Sequence, residues 1–195
     1  MNVIFTCGGT AGHINPAIAV ANMLKARHLD CNILFIGATG KMEEKLVPQA
    51  GYELKCLPAS GLSRRKNLAG LKQNAYAIKC VLSAVGECKK IFKEFKPDVV
   101  IGTGGYVCGP VLMAAGLLGI PSLIQEQNVI PGITNKILAK FVDRIATGYQ
   151  EASKHFPAGK VEFTGNPIRA EVMAPRQEGD YEAFDLLPGR KTILV

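Results

Sequence analysis

His13 and two glycine-rich turns are the part of this sequence whose residue types and spacing could do chemistry. The first turn, at residues 8–12, has the sequence Gly-Gly-Thr-Ala-Gly and leads directly into His13. The second, at 102–110, has the sequence Gly-Thr-Gly-Gly-Tyr-Val-Cys-Gly-Pro. Each follows an apolar run and precedes a helical pattern. Glycine lets a backbone approach a ligand closely, and the helix that follows directs unpaired N–H groups at it. The sequence therefore predicts a phosphate-bearing ligand near the ends of two neighbouring strands.

The first turn does not fit the commoner phosphate-binding motifs. It lacks the Gly-Lys-Ser/Thr ending of a P-loop, which argues against an ATPase or GTPase. A dinucleotide-binding sheet would carry an acidic residue at the end of its second strand to hold a ribose. The second strand predicted here closes instead in Gly37, Ala38 and Thr39. Tight strand-to-helix turns alone would explain single glycines, but they do not account for His13 and Asn15 beside the first turn.

Strand and helix patterns alternate along the chain, which predicts an α/β protein with a doubly wound, Rossmann-like parallel sheet. Pro16 and Pro110 are expected at helix starts, where a missing N–H is tolerated. In such sheets ligands bind where the strand order reverses, commonly between the first and fourth strands. Those are the strands that precede the two glycine-rich turns. We place strands near 2–6, 31–36, 53–57, 98–102, 121–125, 143–147 and 160–164, and helices near 14–28, 41–50, 67–95, 110–119, 132–140 and 149–155.

The charge surplus is concentrated between residues 60 and 97. The chain has a net charge of +7, and this segment carries nine basic residues against two acidic ones. Apolar residues recur there in steps of three and four, which predicts one long amphipathic helix with a basic outer face. This apolar stripe comprises positions 68, 71, 75, 78, 82, 85, 88, 92 and 95. Leucines among the cations suit an anionic membrane, contacted by the region between Leu62 and Lys79. A merely solvated basic face is the alternative. The shortage of aromatic residues and of any known binding motif argues against nucleic acid as a partner.

Two more polar loops follow apolar strands. They have the sequences Gln-Glu-Gln-Asn at 125–128 and Gly-Asn-Pro-Ile-Arg at 165–169. The carboxyl ends of parallel strands share one edge of a sheet, so four polar loops are expected at that edge. Taken singly each could be ordinary loop chemistry, but together they favour a binding site.

The composition is that of a globular chain, with 48% hydrophobic and 20% charged residues. The longest apolar stretch, at 111–124, is too short to span a bilayer. Six cysteines show no Cys-x-x-Cys pair, so we expect neither a metal site nor a disulfide. Reduced thiols in turn favour a cytosolic protein.

Four segments together closely resemble the MurG family. They are 8–17 (Gly-Gly-Thr-Ala-Gly-His-Ile-Asn-Pro-Ala), 104–110 (Gly-Gly-Tyr-Val-Cys-Gly-Pro), 126–128 (Glu-Gln-Asn) and 165–169 (Gly-Asn-Pro-Ile-Arg). MurG enzymes are peripheral membrane glycosyltransferases that add N-acetylglucosamine to the lipid-linked N-acetylmuramoyl-pentapeptide of peptidoglycan synthesis. The resemblance covers essentially the whole chain. It departs from the family at Ala11, where glycine is usual, and at Cys108, where serine is usual.

The resemblance implies a GT-B architecture, in which two Rossmann-like domains face a cleft. We expect 1–165 to form the N-terminal, acceptor-binding domain, 166–190 a linker, and 191–195 the first strand of a C-terminal, donor-binding domain. A peripheral location on the cytoplasmic face of the bacterial plasma membrane is also implied. Two alternatives are open. One is an acceptor- or membrane-binding subunit of a two-component glycosyltransferase, and the other is a non-catalytic module that binds a phosphate ligand.

The implied reaction is attack of the muramoyl 4-hydroxyl on the anomeric carbon of UDP-N-acetylglucosamine, with inversion and loss of UDP. His13 is the candidate base or a phosphate-positioning donor, because histidine ordinarily titrates near neutral pH, and Glu126 is the runner-up base. UDP-N-acetylglucosamine enters as a substrate, and neither a cofactor nor a catalytic metal is expected. We expect no transferase activity without the donor-binding domain. The resemblance assigns donor contacts to Thr10, Ala11, Gly12, Asn128 and Arg169, and the acceptor pyrophosphate to Gly104, Gly105 and Tyr106.

Overall fold

A computed structural model shows one parallel sheet with helices on both faces. It describes residues 1–58 and 68–174 together with positions 187 and 189–191, and of 68–78 and 171 it describes the backbone alone. The strands are β1 (Asn2–Cys7), β2 (Asn32–Ala38), β3 (Glu53–Leu57), β4 (Val99–Gly104), β5 (Ser122–Glu126), β6 (Arg144–Thr147) and β7 (Val161–Phe163). The α-helices are α1 (Ala11–Arg27), α2 (Glu43–Gln49), α3 (Leu68–Phe95), α4 (Cys108–Leu117) and α5 (Ile133–Leu138). Short 3-10 helices cover Gln150–His155, Ala158–Lys160 and Ala170–Met173.

The strand order is β3-β2-β1-β4-β5-β6-β7, and every neighbouring pair is parallel. The order therefore reverses between β1 and β4, which confirms the predicted doubly wound sheet. Val3 pairs with Val99 and Phe5 with Ile101, and the register shifts after Thr6. Both glycine-rich turns follow the two strands at this reversal, where open α/β sheets bind ligands.

The central strands are buried on both faces, which is why they are continuous apolar runs in the sequence. Beneath α1 and α2, Phe5 stacks on Phe35 with ring centroids 5.2 Å apart, and Ile14 belongs to the same cluster. On the other face, Ile4 and Val100 pack in a second cluster with side chains of α3, α4 and α5. Two rigid layers thus hold the carboxyl edge of the sheet in place.

Helix α1 begins three residues earlier than predicted. The carbonyl oxygen of Thr10 accepts the N–H groups of His13 at 3.1 Å and Ile14 at 3.2 Å, which closes the first turn there. The prediction that Pro16 starts this helix is wrong, since Pro16 lies inside it. Its missing N–H leaves the Gly12 carbonyl without that helical bond. The consequence for the site is that His13 lies in the first helical turn rather than in the loop.

The long helix predicted from the basic segment is α3. Val85, Cys88 and Phe92 of the predicted apolar stripe are buried against the core, whereas Leu82 is 66% exposed and was wrongly assigned to that stripe. The predicted membrane-contact region lies outside the described residues, apart from the start of α3, and so does most of 191–195. In the described part of the chain, no helix combines the length and hydropathy needed to cross a membrane.

Candidate active site

The two glycine-rich turns meet at the reversal of strand order. The N–H of Gly8 donates to the carbonyl oxygen of Gly104 at 3.2 Å. Gly104 and Gly105 have φ angles of +119° and +90°, a region that glycine adopts without strain. A Cβ added at Gly105 would also lie 3.0 Å from the Gly8 carbonyl carbon. The contact between the two turns therefore requires glycine at position 105, in the turn that follows β4.

His13 lies over the second turn. Its Nδ1 is 3.1 Å from the carbonyl oxygen of Thr103 and 3.2 Å from Oε1 of Gln127. A Cβ added at Gly104 would lie 2.5 Å from the same Nδ1. The Thr103 hydroxyl, in return, donates to the His13 carbonyl oxygen at 2.6 Å. Strand β4 thus fixes both the backbone and the ring of this histidine, whose side chain is only partly buried.

The partners of His13 define its protonation pattern. Carbonyl oxygens can only accept, so Nδ1 carries the proton and donates it. Gln127 fits this assignment because its Nε2 donates to the Thr103 carbonyl oxygen at 2.7 Å, which leaves its Oε1 as the acceptor for His13. In the neutral imidazole Nε2 then bears the lone pair. A ring held in this way can take a proton from a hydroxyl group.

A chain of amide side chains extends this support to the later strands. Gln127 donates to Gln125, and Gln125 donates to Oδ1 of Asn166 at 3.1 Å. Asn166 donates in turn to the Gln127 carbonyl oxygen at 3.1 Å. A Cβ added at Gly148 would collide with the side-chain amide of Asn166, so the absence of a side chain at Gly148 leaves room for Asn166. Gln125, Gln127 and Asn166 lie in the quoted motifs, but sequence reasoning gave them no role, because side-chain pairing between distant loops leaves no local pattern.

Glu126 is buried and saturated with donors. Its side chain is 1% exposed. Oε1 accepts the N–H and the side-chain amide of Asn128 at 2.9 and 2.8 Å, while Oε2 accepts from the Gly132 N–H at 3.2 Å and the Asn135 amide at 2.9 Å. The carboxylate therefore orders the loop between β5 and α5. To take a proton from a substrate it would have to give up some of these bonds.

The expected donor contacts of the first turn lie at the start of α1. Thr10 precedes the helix with extended backbone, and Ala11 and Gly12 are its first residues. The N–H groups of Ala11 and Gly12 come before the first helical hydrogen bond and have no acceptor within the helix, and the helix dipole favours an anion there. Ala11 is helical, so the alanine that departs from the family pattern fits without strain. Asn128 is exposed beside Glu126.

The remaining expected contacts are divided between two places. Gly104 and Gly105 belong to the meeting point of the turns, and Tyr106 packs partly against the core below α4. Arg169 lies elsewhere, in a groove of about 310 Å³ that Asn15 of α1 also lines. The groove is on the α1–α2 side, two residues along the helix from His13.

Cys108 supports the second turn from below. Its thiol is fully buried and donates to the carbonyl oxygens of Gly104 at 3.0 Å and Thr6 at 3.2 Å. Burial raises the pKa of this thiol to about 11, and the nearby carboxylate of Glu43 adds to the rise.

All six cysteines, each within the described residues, are free thiols. Over the described ranges no group of three or more histidine, cysteine or acidic side chains is arranged to hold a metal ion.

The sequence matches a known family over most of its length. Residues 3–147 match the model of the Glycosyltransferase family 28 N-terminal domain. A protein of Acetivibrio thermocellus is 49% identical over 179 residues, and one of Bacillus licheniformis is 44% identical over 195. Both are named UDP-N-acetylglucosamine--N-acetylmuramyl-(pentapeptide) pyrophosphoryl-undecaprenol N-acetylglucosamine transferase. The alignments cover 91% and 100% of this chain but 47% and 52% of those proteins. The chain therefore spans about half the length of the curated relatives it matches.

Solved structures agree with the sequence match. The crystal structure of Acinetobacter baumannii MurG is similar with a TM-score of 0.72 at 29% identity, and the match covers 90% of this chain and 46% of that one. The S. aureus MnaA structure with UDP gives a TM-score of 0.62 at 13% identity, over 86% of this chain and 46% of that one. Likeness at such low identity shows the fold alone.

Proposed function

Because this chain belongs to glycosyltransferase family 28, whose N-terminal domain it carries, we propose that it forms the acceptor-binding half of a transferase. The full-length enzyme would join it to a C-terminal half such as its relatives have. It would move N-acetylglucosamine from UDP-N-acetylglucosamine to undecaprenyl-pyrophosphoryl N-acetylmuramoyl-pentapeptide. The relatives at 49% and 44% identity, which are named for this transfer, support the choice of substrates. The observation that carries it is the His13 ring, held by Thr103 and Gln127 where the two glycine-rich turns meet.

In the proposed reaction His13 is the general base. As the muramoyl 4-hydroxyl attacks the anomeric carbon, Nε2 takes the hydroxyl proton and the bond to UDP breaks, with inversion. Nδ1 keeps its hydrogen bonds to Thr103 and Gln127 throughout, so the ring stays oriented as it becomes charged. We assign Glu126 to ordering the loop after β5, because its four donors would compete with any proton transfer.

The substrates are proposed to occupy the sheet edge on either side of His13. Thr10, Ala11 and Gly12 would face the donor diphosphate with the unpaired N–H groups of α1, together with Asn128 and Arg169. The second turn, with Gly104, Gly105 and Tyr106, would face the acceptor pyrophosphate. No cofactor or metal takes part in this scheme, so transfer should persist in excess EDTA.

We also propose that the domain rests on an anionic membrane. The basic region between Leu62 and Lys79 supports this, and so does the surface of α5 and the residues after it. There Ile133 and Ile137 are 66% and 51% exposed, Phe141 is exposed as well, and they alternate with Lys136 and Lys140. Helices α3, α4 and α5 pack in series on one face of the sheet, so the exposed surface of α5 lies on the same side of the sheet as α3.

Vesicle binding tests the membrane assignment. Binding to vesicles that contain anionic phospholipid should weaken as salt is added, because screening reduces the attraction. Glutamine at Arg64, Arg65, Lys66 and Lys72 should cut binding, whereas glutamine at the exposed Lys89, Lys90, Lys93 and Lys96 removes the same number of charges at the other end of the basic segment and serves as the matched control. Equal binding of the two variants, or indifference to anionic lipid, would remove this surface from the proposal.

Turnover tests the enzymatic proposal. The full-length enzyme should release UDP from UDP-N-acetylglucosamine only when a lipid-linked N-acetylmuramoyl acceptor is present, and the isolated chain should show no turnover. Activity that needs a separately encoded partner would favour the two-component alternative. A full-length protein that binds the ligands without transfer would favour the non-catalytic module.

A further inference from the structure

Glu43, the first residue of α2, is a charged side chain that is fully buried. A buried carboxylate is strongly destabilising unless it is well hydrogen-bonded, so the hydrogen-bond partners of Glu43 explain its position. The sequence gives no carboxylate at the end of β2, where dinucleotide-binding sheets hold a ribose. The fold brings one to that point from α2.

The carboxylate joins the ends of two strands. Oε2 accepts the N–H of Gly9 at 3.1 Å, and Oε1 accepts the N–H of Ala38 at 2.9 Å. Bonds from N–H groups to a carboxylate are stronger than bonds to neutral acceptors. Both carboxylate oxygens of Glu43 therefore accept from backbone N–H groups, and the side chain is closed to solvent. This argues against a role for Glu43 in binding a ribose.

Two glycines make room for this side chain. A Cβ at Gly8 would lie 2.5 Å from Oε1 of Glu43, and one at Gly37 would lie 2.5 Å from its Cγ. Gly8 also donates to Gly104, so the support given by Glu43 continues into the second turn. The first turn leads directly into Thr10 and the helical turn that carries His13.

We propose that Glu43 is a positioning residue for the transfer reaction. It fixes the backbone at Gly8 and Gly9, and through it the start of α1, so that His13 and the helix N–H groups keep their alignment with the second turn. It touches no substrate. This inference rests on the proposed function and adds to it a residue that lies outside the four motifs.

Glu43→Gln in the full-length enzyme tests the inference with little change in shape. The carboxamide of glutamine has one acceptor oxygen, whereas two backbone N–H groups point at this side chain. One of the two hydrogen bonds must therefore be lost. Misplacement of catalytic groups by about 1 Å costs roughly 100-fold in rate, so kcat per folded enzyme should fall by roughly 10- to 100-fold. Hydrogen exchange at Gly9 or Ala38 should quicken. Glu44→Gln is the matched control, since Glu44 is exposed and accepts a single N–H, that of Gly40, at 2.9 Å.

A double-mutant cycle separates positioning from mere stability. The Cβ added by Gly37→Ala, in β2, would press on Cγ of Glu43 and would not contact the first glycine-rich turn. The substitution should lower kcat in the wild-type background but add little in the Glu43→Ala background, where the obstructing Cγ is absent.

Three results would count against the account. Unchanged kcat per folded enzyme in Glu43→Gln would overturn the positioning role, and so would equal losses from Gly37→Ala in both backgrounds. Wild-type enzyme that transfers no sugar would instead overturn the proposed function, and the role of Glu43 with it. Wild-type activity is therefore measured first.

Discussion

The two glycine-rich turns have similar sequences but are supported differently. The first is held by a carboxylate from another element, since Gly9 donates to Glu43. The second is held partly from within, because Cys108 donates to the Gly104 carbonyl oxygen, and partly by His13 of α1, which packs on that glycine. The carboxylate comes from the start of α2, beside the neighbouring strand β2, whereas the thiol belongs to the second turn itself.

The difference shows that glycine is required for different reasons in the two turns. At Gly8 the backbone conformation is ordinary, and the missing Cβ makes room for Glu43. At Gly105 both the positive φ and the contact with Gly8 exclude a side chain. Gly9 has a φ of +86°, but open space surrounds the position of its absent Cβ. A glycine-rich motif therefore does not by itself show which of its glycines are essential.

Alanine substitutions at Gly105 and Gly9 should distinguish steric collision from backbone strain most strongly. Gly105→Ala combines backbone strain with a collision and should lower the free energy of unfolding by roughly 2–4 kcal/mol. Gly9→Ala carries strain alone and should cost about 1 kcal/mol. Urea denaturation of the chain measures both. Equal losses at the two positions would contradict the distinction.

Arg169 lies away from both turns, and its removal should act on substrate use rather than on the fold. A charge-assisted hydrogen bond is worth about 1.5–3 kcal/mol, so Arg169→Ala should raise the KM for UDP-N-acetylglucosamine by roughly 10-fold or more in the full-length enzyme. Steady-state kinetics with varied donor measure it, and the melting temperature provides the control. Unchanged donor kinetics with an intact fold would remove Arg169 from the site.

The thiol beneath the second turn should make that turn sensitive to alkaline pH. The folded pKa of Cys108, about 11, lies above the ordinary thiol value of 9.0, so the folded state keeps the proton longer than the unfolded state. Its contribution to stability is complete below pH 9 and is lost between pH 9 and 11. By pH 10 the loss is on the order of 1 kcal/mol. Cys108→Ser, which does not titrate there, should lose less stability between pH 8 and 10. Identical pH profiles for the two proteins would contradict this role.

The sequence was sufficient for the fold because the signals were local and periodic. Alternating apolar strands and helical patterns placed all seven strands and the reversal at β1 and β4. The predicted class, the N-terminal half of a GT-B glycosyltransferase, is confirmed by the family match and the MurG structure. The predicted start of α1 was wrong because the rule that places proline at the start of a helix does not apply here. The Thr10 carbonyl already closes a helical turn before Pro16. The domain boundary near 165 stays a prediction.

The site was only partly accessible to sequence reasoning. The glycines, His13 and Glu126 stand out because each lies at or just after the end of an apolar strand pattern, where turns and reactive side chains meet ligands. Glu43 looks like any residue of an acidic helix start, and its role depends on two strand ends that meet only in the fold. Expected site roles therefore stay predictions until kinetics test them, His13 first among them.

The most direct measurement is the kcat of His13→Ala in the full-length enzyme, with His28→Ala, at the exposed far end of the same helix, as the control. General base catalysis contributes roughly 100-fold or more, so kcat should fall by at least that factor while His28→Ala leaves it unchanged. A small loss confined to the KM for the donor would make His13 a phosphate contact instead. A far larger loss of kcat per folded enzyme in Glu126→Gln than in His13→Ala would contradict the assignment of the base.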